Sequence, residues 1–400
     1  MNYAHKVNRK EKMTIILISV YSAYLEDPVG GAEISMRLLA EHLAARGHKV
    51  VYVSKDHKGG FIPRVRRKAV NGVTVYLLRL FRGEHLIRPI KTINDYLFML
   101  LVKRIIRKYN AQIAYSTYDL DMPTLLLKLR HQVCSYKIVL RMAGMYWSEA
   151  CVKNPLARQA YEKIFNEIDA INYVSPGLAD MVEQKIKELG MKVNFKHSFT
   201  ADIGTVLPPG RSRSYIDLNN DNFTMVMAAR FSRYQKRQDL LVRAVSLIDP
   251  TLPVHLYLVG DGKNRQDIQQ LIQQLNLVDR ISIIPFMKQN DLWQLMLRAD
   301  LLCHACDYEG TSKIILESMA LGLPMLVSNV APVSDYVKNG VTGFLVANEP
   351  EAWAEKIKWL ITAKAARASV SQNAMEYIAA NFNPVVNAAV YEQHFASLID

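Results

Sequence analysis

The feature that most constrains the fold is an alternation between short apolar runs and longer segments with helical periodicity. Continuous Val, Ile and Leu runs between amphipathic helices are typical of βαβ units that form a mostly parallel sheet. The first series of runs ends near residue 174, and the second begins near residue 224. Between them, the weakly patterned stretch 191–222 contains Leu-Pro-Pro-Gly at 207–210, which indicates a linker. The sequence therefore predicts an α/β protein with two Rossmann-like domains.

The predicted elements form two sets of similar size. Strands are predicted at 14–20, 50–54, 73–79, 112–116, 137–141 and 170–174, and then at 224–229, 254–259, 280–284, 301–304, 324–328 and 343–346. Helices are predicted at 32–46, 95–108, 122–130, 155–166 and 176–189, and then at 237–248, 264–275, 290–299, 312–321 and 350–364. The end of the chain is predicted to be helical without strands. Four cysteines in 400 residues are too few for a disulfide scaffold.

Charge is distributed unevenly along the chain. Residues 1–200 hold 32 Lys and Arg against 17 Asp and Glu, whereas residues 201–400 hold 18 against 20, within a net charge of +13. This asymmetry indicates that one domain faces a polyanion, either an anionic membrane leaflet or nucleic acid. The cations concentrate in one region: Arg64, Arg66, Arg67, Lys68, Arg79, Arg82, Arg88, Lys91, Lys103, Arg104, Arg107 and Lys108. A helix within that region has the apolar residues Leu97, Phe98, Leu100 and Leu101.

A peripheral membrane patch is the favoured interpretation of this basic region, because no nucleic-acid-binding motif accompanies it. A solvated basic face over core leucines is the alternative. The N-terminal run 13–20 follows four cations and imitates a secretory signal, but no small-x-small cleavage pattern follows it. It is interpreted as the first buried strand. The apolar stretch 96–102 falls well short of the roughly 20 residues that span a bilayer, so we expect no transmembrane segment.

Two glycines, Gly30 and Gly31, lie between the first predicted strand and a long helix. Glycine lets the backbone approach a ligand closely, and a helix N-terminus offers N–H groups to an anion. The spacing is not G-x-G-x-x-G, so a dinucleotide fingerprint is not supported. Taken alone, such a pair more often marks only a turn.

A second group of residues follows the predicted strand 301–304. Glu309 lies in the loop at the carboxyl end of that strand, where α/β sheets bind their ligands. Gly310, Thr311 and Ser312 lead into a helix, so backbone N–H groups at 311 and 312 could face a phosphate. Glu317 lies about five residues further, where it could reach another part of the same ligand.

Here the sequence resembles the retaining glycosyltransferases of family 4 (glycosyl transferases group 1), which have the GT-B fold. The matching pieces are Gly260-Asp261-Gly262 after a strand, Glu309 and Glu317 in an E-x7-E pattern, the runs 317–324 and 339–346, and Gly30-Gly31-Ala32-Glu33 with 46–50. The resemblance implies two Rossmann-like domains with parallel sheets facing across a cleft. Residues 1–205 would form the acceptor-side domain and 206–380 the nucleotide-sugar donor domain. The helix within 381–400 would pack back on the first domain.

The resemblance also implies roles for individual residues. Glu309 would hydrogen-bond the hydroxyls of the transferred sugar, and Glu317 would hold the ribose. Arg230 and Lys236 would bind the diphosphate and stabilise its charge as it leaves. The remaining donor contacts would come from Gly30, Gly31, Gly260, Asp261, Gly262, Phe286, Met287, Gly310, Thr311 and Ser312.

The sequence also departs from the family pattern. Arg230 and Lys236 are six residues apart rather than five, so either a bulge exists or Arg233 or Arg237 shares their role. Thr311-Ser312 replaces the Gly or Phe-Gly that often follows Glu-Gly in the family, which indicates a more polar sugar pocket. Residues 141–144 read Arg-Met-Ala-Gly where many members have a histidine. No acceptor-side histidine can therefore be assigned.

Two other clusters have simpler interpretations. Asp119 and Asp121 match a metal-binding D-x-D, but they precede a predicted helix and are better explained as capping residues. Cys303, His304 and Cys306 are too close in sequence to supply a tetrahedral metal site without distant partners. They lie on or beside a predicted buried strand and are interpreted as core.

The resemblance implies a retaining enzyme that moves a hexose from a UDP- or GDP-linked sugar to a glycan or lipid-linked acceptor. No metal or other cofactor is expected, and no nucleic-acid partner. We expect a role in bacterial surface polysaccharide or lipopolysaccharide assembly, in the cytoplasm at the inner face of the cytoplasmic membrane. The alternatives are a nucleotide-sugar 2-epimerase on the same fold and a non-catalytic membrane-associated scaffold.

Overall fold

The chain was analysed as a computed structural model that describes residues 12–25, 31–82, 88–117, 120–130, 132–133, 135–205, 222–232 and 235–399, without the side chains of residues 57, 58 and 88. The described residues form two compact units. The first lies within Met1–Tyr173, Gln184–Ala201 and Ala388–Asp400, and the second within Val174–Glu183 and Asp202–Asn387. The linker signal at 207–210 lies outside the described residues.

The first unit is built on an eight-stranded sheet. Its strands are β1 (Thr14–Ser19), β2 (Lys49–Gly60), β3 (Arg64–Val70), β4 (Val73–Phe81), β5 (Ile113–Thr117), β6 (Lys137–Met142), β7 (Ala170–Tyr173) and β8 (Ser198–Thr200). Their spatial order is β3-β4-β2-β1-β5-β6-β7-β8. The pairings are parallel apart from the antiparallel pair of β3 with β4. The first six helices of the described residues are α1 (Gly31–Ala45), α2 (Arg88–Tyr109), α3 (Asp121–Arg130), α4 (Tyr146–Lys153), α5 (Pro155–Glu167) and α6 (Pro176–Glu188). Helix α6 begins in the second unit and ends in the first.

The second unit is built on a six-stranded parallel sheet. Its strands are β9 (Phe223–Ala228), β10 (Val254–Val259), β11 (Ile281–Ile284), β12 (Leu301–His304), β13 (Met325–Ser328) and β14 (Phe344–Val346), in the spatial order β11-β10-β9-β12-β13-β14. The later helices are α7 (Gln238–Ser246), α8 (Arg265–Gln274), α9 (Gln289–Arg298), α10 (Lys313–Leu321), α11 (Val333–Tyr336), α12 (Pro350–Thr362), α13 (Lys364–Asn381) and α14 (Pro384–Ile399).

Strand β9 is apolar at every position except Thr224, and its surroundings explain this composition. Met225 and Met227 point into the core on one face of the sheet, with the side chains of α7 and α12. Val226 points into the core on the other face, with those of α9 and α10. A strand that is covered by helices on both faces buries residues that point to either face, so the alternation of apolar and polar residues disappears.

The two mainly parallel sheets confirm the predicted α/β class, and the twelve predicted strands are all present. Two strands and one helix of the first unit were missed. Strand β3 was not predicted because it is an edge strand whose basic residues are exposed on both faces, so its sequence has no alternation of apolar and polar residues. Strand β8 is only three residues long, and α4 follows β6 without a clear N-cap signal. In the described parts of the chain, no helix is both long and apolar enough to cross a membrane.

The last helix, α14, packs on the first unit through aromatic contacts. The rings of Tyr391 and Phe395 lie 6.1 and 5.7 Å from the ring of Tyr115, measured between centroids. The buried carboxylate of Glu392 pairs with Arg46 and lies 3.2 Å from His48 Nε2. This end of α14 is therefore an integral part of the first unit's core.

Replacement of Phe395 by Ala should destabilise the first unit by about 3–5 kcal/mol, because a fully buried ring is lost and the site can collapse only partly. The urea midpoint of its unfolding transition measures this change. The control is Gln393→Ala on the exposed side of the same helix, which should change stability by less than about 0.5 kcal/mol. Equal shifts in the two variants would contradict the prediction.

Candidate active site

The sequence-predicted donor residues of the second unit gather at the carboxyl edge of its sheet. Arg230 and Lys236 follow β9, and the Gly260–Gly262 turn follows β10. Phe286 and Met287 follow β11, and Glu309 follows β12. Because the strands are parallel, these four loops leave the sheet at the same edge, which is where α/β sheets bind ligands.

The position of Lys236 is fixed by backbone pairing between two loops. The loop after β9 lies antiparallel to the segment after β12, with Lys236 opposite Cys306. Two hydrogen bonds of 3.0 Å flank this bridge, one from Arg237 N–H to the Ala305 carbonyl and one from Asp307 N–H to the Gln235 carbonyl. The loops after β9 and β12 are thereby held together.

The side chains of Lys236, His304 and Glu309 form a compact cluster at this edge. Lys236 Nζ donates to Glu309 Oε2 and lies 3.2 Å from His304 Nε2. His304 Nε2 is also 3.2 Å from Glu309 Oε2. The imidazole is buried, with 1% of its side chain exposed.

Burial sets the ionisation of two members of this cluster. It lowers the pKa of Lys236 to about 8, so the ammonium is charged at neutral pH and loses its proton as the pH rises through that value. Burial and the charge of Lys236 hold the pKa of His304 well below its usual range. A neutral imidazole has one donor and one acceptor nitrogen. Its Nε2 can therefore accept from Lys236 or, in the other tautomer, donate to Glu309.

Glu317 lies in α10 with its carboxylate turned towards α9. Its Oε2 accepts from Gln289 Nε2 at 2.7 Å and from the Trp293 indole N–H at 3.2 Å. Burial raises the pKa of Glu317 to about 7, and these two donors oppose the shift. The carboxylate is thus held in one orientation and gains its charge near neutral pH.

The Gly260–Gly262 turn packs against the loop after β9. A Cβ atom at Gly260 would meet the Ala229 carbonyl oxygen at 2.3 Å, and one at Gly262 would meet the Phe231 carbonyl oxygen at 2.2 Å. The glycines are therefore required by the close approach of two backbone segments. Between them, Asp261 accepts from Phe286 N–H at 2.9 Å and pairs with Arg265. The Phe286 N–H and Arg265 lower the pKa of Asp261.

The two arginines near Lys236 differ in their surroundings. Arg230 is exposed, and no described carboxylate lies within ion-pairing distance of it. Arg237 pairs with Asp239 at 3.0 Å and with Asp307 at 2.9 Å, and these carboxylates raise its pKa. Arg237 is thus already neutralised, whereas Arg233 lies outside the described residues.

The residues after Glu309 are tied to their own unit. Thr311 Oγ1 donates to the Val174 carbonyl at 3.1 Å. The Ser312 N–H donates to the Tyr336 hydroxyl, which in turn donates to the Gly310 carbonyl. The Ser312 N–H therefore points to Tyr336 in this structure rather than to open space.

Several predicted residues lie apart from this edge. Gly31 begins α1 of the first unit, and its carbonyl accepts from Ser35 Oγ. Gly30 and Asp119 lie outside the described residues. Asp121 is an exposed residue in the first turn of α3, where a negative charge interacts favourably with the helix dipole. Within the described parts of the chain, no group of three His, Cys, Asp or Glu could hold a metal ion.

Sequence reasoning missed His304 as a site residue. It belongs to a run that was interpreted as core, and Cys303 and Cys306 are indeed fully buried. The structure shows that His304 also contacts both Lys236 and Glu309. The available signal was its position as the last residue of β12, at the ligand-binding end of the strand.

Two family models match the chain. A family model described as Glycosyltransferase Family 4 matches residues 29–188, and one described as Glycosyl transferases group 1 matches residues 211–377. Together they match more than three quarters of the chain. The second match spans every predicted donor residue of the second unit.

Curated relatives are similar at low identity. An uncharacterized glycosyltransferase of Methanocaldococcus jannaschii is 24% identical over 80% of this chain and 81% of its own length. The lipopolysaccharide core biosynthesis glycosyltransferase LpsE of Rhizobium meliloti is 24% identical over 58% and 66%. The N-acetyl-alpha-D-glucosaminyl L-malate synthase of Bacillus anthracis is 29% identical over 30% and 31%. The chain thus spans from about a third to about four fifths of these relatives.

Solved structures share the fold. Sucrose-phosphate synthase from Thermosynechococcus elongatus superposes with a TM-score of 0.80 at 23% identity, over 96% of this chain and all of that chain. Anabaena HepE, solved in complex with UDP-glucose, gives 0.73 at 17% identity over the same shares. With the two family matches, these findings confirm the resemblance seen in the sequence: the chain belongs to glycosyltransferase family 4 and is a glycosyltransferase with the GT-B fold.

Proposed function

We propose that this glycosyltransferase moves a hexose from a UDP- or GDP-linked sugar to a glycan or lipid-linked acceptor, with retention of anomeric configuration. The observation that carries the proposal is the pairing of Lys236 with Glu309 at the carboxyl edge of the second unit's sheet. A nucleotide-sugar presents a diphosphate and a sugar next to each other. A cation and a carboxylate side by side match those two groups.

The leaving group sets the electrostatic requirement. A nucleoside diphosphate gains negative charge as the glycosidic bond breaks, and fixed cations directed at it lower the barrier. Lys236 supplies one such charge, and Arg230, in the same loop and exposed, supplies a second. We propose that these side chains, rather than a metal ion, stabilise the leaving diphosphate.

Donor binding would rearrange the cluster. When the diphosphate arrives, the Lys236 ammonium exchanges part of its contact with Glu309 for the phosphate oxygens. The Glu309 carboxylate then accepts hydrogen bonds from the sugar hydroxyls, and His304 Nε2–H can donate to it in place of the ammonium. The sugar is held by its hydroxyls while its anomeric carbon faces the leaving oxygen.

The carboxylate of Glu317 is suited to bind the ribose of the nucleotide. Its Oε2 is held by Gln289 and Trp293, so the group is oriented before the ligand arrives. A carboxylate accepts strongly from hydroxyl groups, and the two neighbouring hydroxyls of ribose offer two donors. We propose that Glu317 binds them in its ionised form.

The names of similar proteins support the donor and the pathway. HepE was solved in complex with UDP-glucose, and LpsE is named for lipopolysaccharide core biosynthesis. We propose a corresponding role in bacterial surface polysaccharide or lipopolysaccharide assembly, in the cytoplasm at the inner face of the cytoplasmic membrane. The family matches favour this activity over the epimerase and scaffold alternatives.

The proposal is tested first by a thermal-shift screen of the purified chain against UDP, GDP and ADP and their common sugars. One nucleotide should raise the unfolding temperature selectively, with and without excess EDTA. Incubation of the matching nucleotide-sugar with candidate acceptors should then give a product with the donor's anomeric configuration, read by NMR. Formation of the C2-epimeric nucleotide-sugar in the absence of any acceptor, rather than of free sugar and nucleoside diphosphate, would identify an epimerase. No shift with any nucleotide would contradict the proposal.

Glu309→Gln should lower kcat by about 10²–10³-fold, because one preorganised electrostatic contact at the reacting sugar is lost. Its affinity for the free nucleoside diphosphate should stay within a few-fold of wild type. Steady-state kinetics and calorimetric titration measure the two quantities. Glu355→Gln, at an exposed position in α12, is the control and should be unchanged. Near-normal kcat in Glu309→Gln would remove this residue from the mechanism.

The pH profile of kcat/KM for the donor should be bell-shaped, with limbs near pH 7 and pH 8. Glu317 must lose its proton, so activity rises through about 7, and Lys236 must keep its proton, so activity falls above about 8. Lys236→Arg keeps its charge and should remove the alkaline limb. Glu317→Gln cannot ionise and should flatten the acid limb at a lower rate. Unchanged limbs in both variants would show that other groups titrate.

His304→Phe should lower kcat by on the order of 10- to 100-fold with a small change in KM, because Lys236 and Glu309 lose the imidazole that positions them. His304→Gln keeps a donor and an acceptor and should recover most of the rate. Thermal unfolding of both variants reports on folding. Equal losses in the two variants, or a loss confined to stability, would assign His304 to the core alone.

A further inference from the structure

The turn between β2 and β3 exposes two large apolar side chains. Phe61 is 86% exposed and Ile62 is 78% exposed, and they are adjacent in the turn. Scattered apolar residues on a surface need no explanation, but two adjacent large ones at a projecting tip do. The tip is defined here as residues 61–63.

The tip projects from a particular edge of the first unit's sheet. Ser19, the last residue of β1, pairs with Ser54 of β2, and β2 continues for six residues to Gly60. The register with β4 shifts between Asp56 and Gly60, so the partner residues advance only from Leu77 to Phe81 over this extension. At about 3.3 Å per residue of β4, the extension is roughly 13 Å long. It leaves from the carboxyl edge of the parallel strands, the same edge at which an α/β sheet binds its ligands.

Two arginines form hydrogen bonds with the backbone at the base of the tip. Arg79 Nε and Arg82 Nε both donate to the Gly59 carbonyl, at 3.0 and 3.4 Å, and the Arg82 N–H donates to the Gly60 carbonyl. Gly59 has a φ of +57°, and a Cβ atom there would meet Arg82 Cγ at 2.9 Å. The Arg82 guanidinium also lies over the Phe61 ring, 5.7 Å from its centroid. The tip is therefore held in place with cations directly beneath it.

Strand β3 continues the cationic surface away from the tip. Arg64, Arg66, Arg67 and Lys68 are all exposed. Asp56 neutralises Arg66, whereas Lys68 donates to the neutral Tyr24 carbonyl and keeps its charge. Arg64, Arg67 and Lys68 therefore add most to the surface charge. Apolar side chains at the tip and cations around its base are complementary to a bilayer with anionic headgroups. The apolar side chains would insert into the bilayer, and the cations would remain at the level of the headgroups.

From this geometry we infer that the tip is a membrane-docking element that inserts Phe61 and Ile62 into an anionic phospholipid bilayer. Two apolar side chains alone bind a bilayer weakly and reversibly, and a basic patch supplies the second signal that stable attachment needs. Each cation near an anionic leaflet adds about fivefold to the partition coefficient. The inference deepens the proposed function, because docking at this edge brings the bilayer to the acceptor side of the first unit. A lipid-linked acceptor would then be reached from the membrane.

The sequence analysis assigned the membrane patch to a region that includes α2, whereas the structure points to the β2–β3 turn. Phe98 of that helix is buried in the core, although Leu100 is exposed. The β2–β3 turn, which sequence reasoning did not single out, carries the two most exposed large apolar side chains in the described parts of the chain. It is therefore the segment to test.

The experiment is vesicle flotation of the full chain with phosphatidylcholine alone and with about 30% phosphatidylglycerol added. Wild type should bind the anionic vesicles at least about tenfold more strongly than the neutral ones. The double variant Phe61→Ser/Ile62→Ser should lose at least tenfold on anionic vesicles. A matched control, Val152→Ser/Leu156→Ser, removes apolar residues that are 60% and 72% exposed elsewhere in the first unit and should bind as wild type does.

Insertion itself is read with tryptophan substitutions. Emission from Phe61→Trp, after subtraction of the wild-type signal, should be quenched by brominated lipids, whereas that from Leu156→Trp should not. Normal flotation of the double variant, unquenched Phe61→Trp, or no preference for anionic vesicles would each overturn the inference. The nucleotide-induced thermal shift is measured without lipid. It should be unchanged in the tip variants, so failure of membrane docking is distinguishable from failure of the proposed activity.

Discussion

The donor edge depends on one buried ion pair, between the Lys236 ammonium and the Glu309 carboxylate. Removing two charges from water costs several kcal/mol per ion, and their mutual attraction returns that cost only with good geometry and further hydrogen bonds. A well-packed apolar pair would stabilise the second unit at least as well. The pair is therefore poor evidence for stability and is better explained by a ligand with complementary charges. The pKa of about 8 for Lys236 has the same origin, because burial removes water from the ammonium and thereby disfavours its charged form.

The backbone around this pair is fixed before any ligand binds. The loop after β9 pairs with the segment after β12 on one side, and on the other it is so close to the β10 turn that Gly260 and Gly262 have no room for a Cβ atom. Asp261 then ties that turn to Phe286 after β11. Four loops are joined into one rigid edge, so a ligand meets groups that are already oriented. Electrostatic stabilisation is most effective in such a preorganised site, because no reorganisation is needed during the reaction.

The sequence was informative where burial imposes a pattern. Strands such as β9 and β12 are apolar on both faces, and a continuous apolar run can be recognised without knowing its neighbours. Strand β3 is exposed on both faces, so its position depends on pairing with β4, which no local pattern records. The same limit applies to the site. The chemical types of Glu309 and Lys236 could be recognised, but the placement of His304 between them depends on how β12 meets the loop after β9.

Strand β3 also shows how two explanations of one charged surface can be separated. An edge strand has unpaired backbone groups, and exposed cations there prevent pairing with another chain. That explanation accounts for Arg64 to Lys68 without any partner. It does not account for the tip, since Phe61 and Ile62 next to an unpaired edge would favour aggregation rather than prevent it. Solubility alone therefore explains the charges but not the apolar side chains, whereas an anionic bilayer requires both.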